Sequence, residues 1–262
     1  MTKLKKDTQV SWREVFNKIA PFVAIPVVLV LWQLFAVTHH ELFPTPQETW
    51  MRLLKMSESQ ISKATLWGHT WVSMRRVLIA MGFAIVLGIP FGFAIGTCKW
   101  FDAVFGSIFE MLRPIPIIAW MPLIIIWMGI DEKSIVLMIF IAAFIPVVMN
   151  TRAGVRMIDS IYLDVGKIFS ANTYQRFMEI LIPGSFAVIF TGIRLALSSA
   201  WIVMLAGEMV AARQGLGFLI IRGMSSGDLP LILVSMITIG IVGALMAMLL
   251  QKVERLVCKW ER

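Results

Sequence analysis

The sequence predicts an all-α, polytopic membrane protein with six transmembrane helices, and three observations predict it. Of the 262 residues, 58% are hydrophobic and only 15% are charged, with a mean hydropathy of +0.81, too apolar for a soluble domain of this length. The apolar residues gather into runs near 21–37, 77–98, 115–130, 135–149, 187–212 and 229–250, separated by shorter polar passages. With the N-terminus inside, 16 of the 24 Lys and Arg residues fall on the cytoplasmic side of such a scheme, a bias that places both termini in the cytoplasm. The same bias accounts for the net charge of +8, so no nucleic-acid partner is implied.

Residues 1–20, with Lys3, Lys5, Lys6, Arg13 and Lys18, read as a cytoplasmic segment, and 21–262 as a single transmembrane domain. The run 21–37 lacks a small-residue cleavage site, which makes it a retained span rather than a signal peptide. Pro46 can open a helix over 47–56, whose Trp50, Leu53 and Leu54 are expected to form its apolar face along the outer membrane surface. The external segment that follows carries Arg52, Lys55, Lys63, Arg75 and Arg76, the weakest fit to the charge bias. In the second span Gly88, Gly92 and Gly96 recur every four residues, so one helix face lets a neighbouring backbone approach closely.

Pro114 and Pro116 stand at the mouth of the third run and Pro122 inside it. An uninterrupted helix is excluded there, and irregular backbone at membrane depth is tolerated only where it is buried in protein or lines a cavity. A pathway is therefore expected near Pro114, Pro116, Trp120, Pro122 and Trp127, with lipid-interface anchoring an equal reading for the two tryptophans. The fifth run holds Arg194 and Glu208, which are 14 residues apart, about 21 Å along a helix and too far to pair. Each needs its own partner: backbone carbonyls or snorkelling for Arg194, and Arg213 or a second copy of the chain near an outer gate for Glu208. Cys98 and Cys258 show no CxxC spacing and His39, His40 and His69 no HExxH, so neither redox nor metal chemistry is indicated.

The longest polar passage of the second half is 158–185. Asp159 or Ser160 can cap a helix whose Ile161, Val165, Ile168 and Phe169 form one stripe. Asn172 with Gln175 at N3 can cap a second helix that Pro183-Gly184 is expected to end. This helix-turn-helix resembles the cytoplasmic coupling segment of ABC importer permeases. The matching positions are Asp164, Val165, Gly166, then Ser170, then Ile182 and Pro183; Val165 is bulkier than the family's Ala, and Ser170 stands where Gly would most easily adopt a left-handed turn.

The resemblance extends over most of the chain. Phe43-Pro44-Thr45-Pro46, His69-Thr70, Ser73-Met74-Arg75-Arg76-Val77, Gly88-Ile89-Pro90-Phe91-Gly92, Trp127-Met128-Gly129-Ile130 and Gly207-Glu208-Met209 stand in an order similar to the nitrate/sulfonate/taurine group of these permeases. What it implies is a methionine-importer-like permease fold in the bacterial cytoplasmic (inner) membrane. It also implies a pair of permeases, two ATP-binding subunits beneath them and an external substrate-binding protein above. Asp159, Asp164, Val165, Gly166, Ser170, Ile182 and Pro183 would then form the contact with the ATPase. The chain has no G-x-x-x-x-G-K-[ST], so ATP and Mg belong to the partner and this chain is a transport subunit without a cofactor, not an enzyme. A secondary transporter of small solutes is the alternative. It needs ion-coordinating groups near the midplane, where Glu208 is the one acidic candidate; a channel filter or a catalytic constellation finds no residues to build it.

Overall fold

The computed structural model describes the backbone of residues 12–258 and the side chains of residues 23–258. The expected cytoplasmic segment 1–20 and the basic residues Lys259 and Arg262 lie largely or wholly outside that range. Among the described residues there is no strand. Ten helices follow one another: α1 (Trp12–Thr38), α2 (Pro46–Glu58), α3 (Leu66–Thr97), α4 (Lys99–Leu112), α5 (Ile117–Met128), α6 (Glu132–Arg156), α7 (Ser160–Ile168), α8 (Thr173–Ala211), α9 (Leu216–Ser226) and α10 (Leu229–Val257).

Four of these, α3, α6, α8 and α10, are long and apolar enough to cross a membrane, and α4 with α5 makes a fifth as a pair bent by 91°. The remaining member of the expected six is α1, whose Val23–Thr38 stretch is apolar but shorter. The end of the expected external segment, with Arg75 and Arg76, and the 77–98 run form a single helix, α3, capped by the Thr65 side chain.

The glycine stripe sets how α3 meets α6. A Cβ on Gly88 would lie 2.9 Å from Val147 Cγ1, one on Gly92 2.5 Å from Thr151 Cβ, and one on Gly96 2.9 Å from Val155 Cβ. Both residue series rise together, so α3 and α6 are parallel. The chain between them must therefore travel back along the bundle. It does so beside α6 in the opposite sense: Asp102 pairs with Arg152, Phe109 packs with Val148, and Ile124 packs with Met138. The bent pair is thus one broken crossing. Its break falls at 113–116, where neither proline can donate to a helical ladder.

Helix α8 runs antiparallel to α6, with Gly154 against Ser185 and Val188, and Gly192 against Asn150. Val77, Ala80, Ala84, Ile139, Ala143, Val147, Ile193, Ala196 and Ala200 fill the space among the three helices. Hydrocarbon gives such helices little hydrophobic reason to associate, so close van der Waals packing of small residues carries the contact. Helix α2 is held by a capping box in which the Thr45 N–H donates to Glu48 Oε2 at 2.8 Å. That bond holds the Glu48 carboxyl below its ordinary pKa. The buried face of α2 is Thr49 and Met56, with Leu53 beside them, while Trp50 and Leu54 are exposed. Of the expected face, Leu53 turns inward with Met56, through which α2 packs on α9 and α10, while Trp50 and Leu54 stay on the surface.

The stripe makes a sharp prediction. Gly92→Ala places a methyl 2.7 Å from the Val148 carbonyl oxygen, whereas Gly82 on the same helix has nothing within 4 Å. Gly92→Ala should cost about 1–3 kcal/mol of overpacking. Thermal unfolding of the detergent-solubilised chain should show a lowered midpoint for Gly92→Ala and none for Gly82→Ala.

Candidate functional site

At the Val155 end of the bundle the chain leaves α6 and forms α7. Asp159 caps it, its Oδ1 accepting from the Ile161 N–H at 3.0 Å. The helix stops in a Schellman arrangement: the Ala171 N–H donates to the Gly166 carbonyl at 2.9 Å and the Ser170 N–H to the Lys167 carbonyl at 2.9 Å. Ser170 takes the left-handed conformation this requires, with φ of 54°. Asn172 and Gln175 then form a reciprocal capping box. Both ends of the short helix are therefore determined by local hydrogen bonds.

Two features differ from the sequence reading. The second helix does not end at Pro183-Gly184 but runs on into the membrane as α8. A wider, π-helical turn over Arg176–Leu181 precedes Pro183 and relieves the clash between its ring and the preceding turn. Gly166 does not face outward. It is buried, and a Cβ there would meet Ile180 Cδ1 at 2.9 Å and Arg176 Cγ at 3.5 Å. The outward face is instead Ile161, Tyr162, Ile168 and Phe169, the last two 78% and 81% exposed, with Asp164 and Lys167 paired beside them at 2.8 Å. Val165 is 44% exposed, and Ile182 and Pro183 lie partly buried in α8, just past its π-helical turn.

The expected pathway residues lie along the broken crossing. Pro114, Pro116, Pro122 and Trp127 are exposed, and Trp120 packs partly buried against the cluster of Met121, Ile124 and Met138. Beside the break is an open cavity of about 630 Å³ walled by Pro116 and Ile117, by Pro146 and Asn150 of α6, and by Ser199 of α8. Pro116 alone of the five lines it. Arg194 sits further along α8, where Nη1 donates to Glu254 Oε2 at 2.7 Å and Nη2 to Thr191 Oγ1 at 3.0 Å. Its partner is a carboxylate of α10, not backbone carbonyls.

Glu208 lies at the other end and is fully buried. Its partner is Arg76, not Arg213: Arg76 Nη1 donates to Glu208 Oε1 at 2.6 Å and to the Gln214 carbonyl at 2.8 Å. The Ser73 hydroxyl donates to the same carboxylate, and the Gly217 N–H donates to Oε2 at 2.9 Å. Arg76, itself only 1% exposed, also donates through Nε to Glu132 Oε2 at 2.9 Å and through Nη2 to Glu132 Oε1. The Gly215 N–H donates to His69 Nδ1 at 3.0 Å, which leaves Nε2–H to donate to the Ile61 carbonyl at 2.9 Å and makes His69 neutral. Gly215 has φ of 131°, and a Cβ there would run into the Glu208 carboxylate. One buried carboxylate thus ties α3, α8 and the start of α9 together, and Arg76 extends the tie to α6.

Sequence reasoning missed Ser73, Arg76, His69, Glu132, Gly215 and Gly217 as members of this site. Ser73 and Arg76 lie three apart on one helix face, and Gly215-x-Gly217 follows Glu208 by seven residues; those were the available signals. In the segment expected to be external, Arg76 is buried and paired, and Arg52 is paired with Asp228 at 2.5 Å. The weakest part of the charge count is therefore less positive than its residues suggest.

The family model for the binding-protein-dependent transport system inner membrane component matches residues 84–257. The chain belongs to this family. It is the permease of an ABC importer, a multi-pass transport subunit rather than an enzyme, and in this family the ATPase is a separate subunit. The permease is 32% identical over 243 residues to the taurine transport system permease protein TauC of Escherichia coli (strain K12), covering 90% of this chain and 87% of that one. It is 31% identical over 249 residues to the nitrate import permease protein NrtB of a Synechocystis strain, covering 93% and 90%. Its fold matches that of a solved structure of the MetNI methionine ABC transporter in an inward facing conformation, with a TM-score of 0.61 over 71% of this chain and 93% of that one, at 17% identity.

For this permease, removing one member of the buried pair leaves the other without a counter-charge. Arg76→Met should cost about 3–5 kcal/mol of stability. Arg76→Met with Glu208→Leu should recover most of it, because Glu132 is half exposed and can be hydrated. A double-mutant cycle on thermal unfolding in detergent checks both; a loss in the double variant equal to the sum of the two single losses would show that the pair is not coupled.

Proposed function

We propose that this permease works as a pair in an importer of a small oxyanion or sulfonate, such as nitrate, a sulfonate or taurine. Two ATP-binding subunits dock on α7 from the cytoplasm, and an external binding protein delivers the solute at the Arg76 end. The substrate class is supported by the relatives, which include taurine, nitrate and aliphatic sulfonate permease proteins. The orientation is supported by the Lys and Arg bias, with both termini and α7 in the cytoplasm. The pathway runs past the cavity beside Pro116, where polar Asn150 and Ser199 stand among apolar walls.

The observation that carries the coupling role is the uncovered apolar face of α7. Ile161, Tyr162, Ile168 and Phe169 project from a helix held firmly at both ends. Such an array in water is unfavourable unless a partner covers it. Asp164 and Lys167 beside it supply polar rim contacts. Phe169→Asp should insert and fold normally but lose the ATP-binding subunit on co-purification and lose transport. Retention of both would overturn the assignment.

Gly166 acts within the chain, seating α7 on Ile180 and Arg176. Gly166→Ala meets only the flexible end of Ile180 and should keep coupling. Gly166→Leu should displace α7 and reduce ATP-driven transport while membrane insertion is unchanged. Topology is tested with single cysteines in a Cys98→Ser, Cys258→Ser background: Lys167→Cys should label only from the cytoplasm and Asp131→Cys only from outside. Labelling of both from one face would refute the six-span orientation.

A further inference from the structure

Between α3 and α6, on the outer surface of the bundle, lies a trough of about 450 Å³. Its α3 wall is Ile79, Phe83 and Leu87, which are 42%, 56% and 52% exposed, and its α6 wall includes Val136 and Phe140. Ile79 to Leu87 spans about 12 Å of helix, less than half of a hydrocarbon core about 30 Å thick. The trough therefore fits within one leaflet.

Its mouth, at the end where α6 begins, is cationic. Arg75 and Lys133 line it together with the Arg76–Glu132 pair. The Glu132 carboxylate is taken by two donors of Arg76, and Arg75 reaches it only at 3.7 Å. Arg75 is 52% exposed, and Lys133 has no ion-pair partner among the described residues. The Asp131 side chain makes no capping hydrogen bond to the first turn of α6, whose own acidic residue is Glu132. Asp131 itself lines a different cavity, on the far side of Glu132 with Lys63 and Arg213.

We infer that this trough is a binding site for an anionic phospholipid, the phosphate headgroup held by Arg75 and Lys133 and one acyl chain laid along Ile79, Phe83 and Leu87. The order from charge to apolar wall is that of the lipid itself. Free phosphate would have no use for the trough, and a neutral headgroup would gain little from two cations. Bound there, the lipid bridges α3 and α6 and shields the Arg76–Glu132 pair from the membrane. The site is independent of which solute is transported.

The test uses the full-length chain purified in neutral detergent, with native mass spectrometry after addition of phosphatidylglycerol or phosphatidylcholine of the same acyl chains. Phosphatidylglycerol should be retained about tenfold more strongly, since each cation near a membrane surface favours an anionic headgroup by a few-fold. Arg75→Gln with Lys133→Gln should abolish that preference without altering thermal unfolding in lipid-free detergent. Equal retention of the two lipids by the unmodified chain, or an unchanged preference in the double variant, would overturn the site. So would efficient joining of two chains by a short bismaleimide through Phe83→Cys in a Cys98→Ser, Cys258→Ser background, which would make the trough a contact between copies.

Discussion

The arrangement depends first on how closely α3 can approach α6. In hydrocarbon, apolar surface gains nothing by leaving the lipid for another apolar surface, so the helices must interlock by shape. Gly88, Gly92 and Gly96 allow the branched side chains Val147, Thr151 and Val155 to sit against bare backbone. That contact makes α3 and α6 parallel. Two parallel helices joined by 98–131 require the connection to cross the membrane again, and its prolines require it to break on the way.

The two ends of the resulting bundle are built on opposite principles. At the Arg76 end, charge is turned inward: one buried arginine is shared by Glu208, Glu132 and the Gln214 carbonyl, and Ser73 and Gly217 complete the shell around the Glu208 carboxylate. Every polar atom of that carboxylate has a donor, which is what allows an ionised group to persist inside a membrane bundle. At the Val155 end, apolar surface is turned outward on α7, while local capping and the seat of Gly166 on Ile180 and Arg176 hold the helix in place. A closed end and an open end suit a subunit that receives solute on one side and force on the other.

Much of the segment 158–185 was legible because its signals are local. Asp159 as a cap, Asn172 with Gln175 as a capping box, and Ser170 at a left-handed position depend on neighbours within a few residues, and the structure places each where the sequence does. The orientation of Gly166 was not legible. A small residue on an amphipathic helix is consistent with a partner's approach or with the chain's own, and only the return of Ile180 and Arg176 decides between them. The continuation of the second helix through Pro183 was hidden for a related reason, since the relieving wide turn leaves no residue signature.

By itself the sequence determined that this chain crosses a membrane repeatedly, that its third apolar run is broken by prolines, and how its short surface helix ends. Each follows from composition, period or capping chemistry within a short window, whereas the family was legible only through a resemblance of motifs spread along most of the chain. Tertiary structure alone decided which charges meet. Arg76 and Glu208 are separated by 132 positions, and Arg194 and Glu254 by 60. No periodicity links residues so far apart. Their pairing arises only once glycine contacts have set the spacing and sense of α3, α6 and α8, because an ion pair in a medium of low polarity is stable only at contact distance and with its remaining donors and acceptors satisfied.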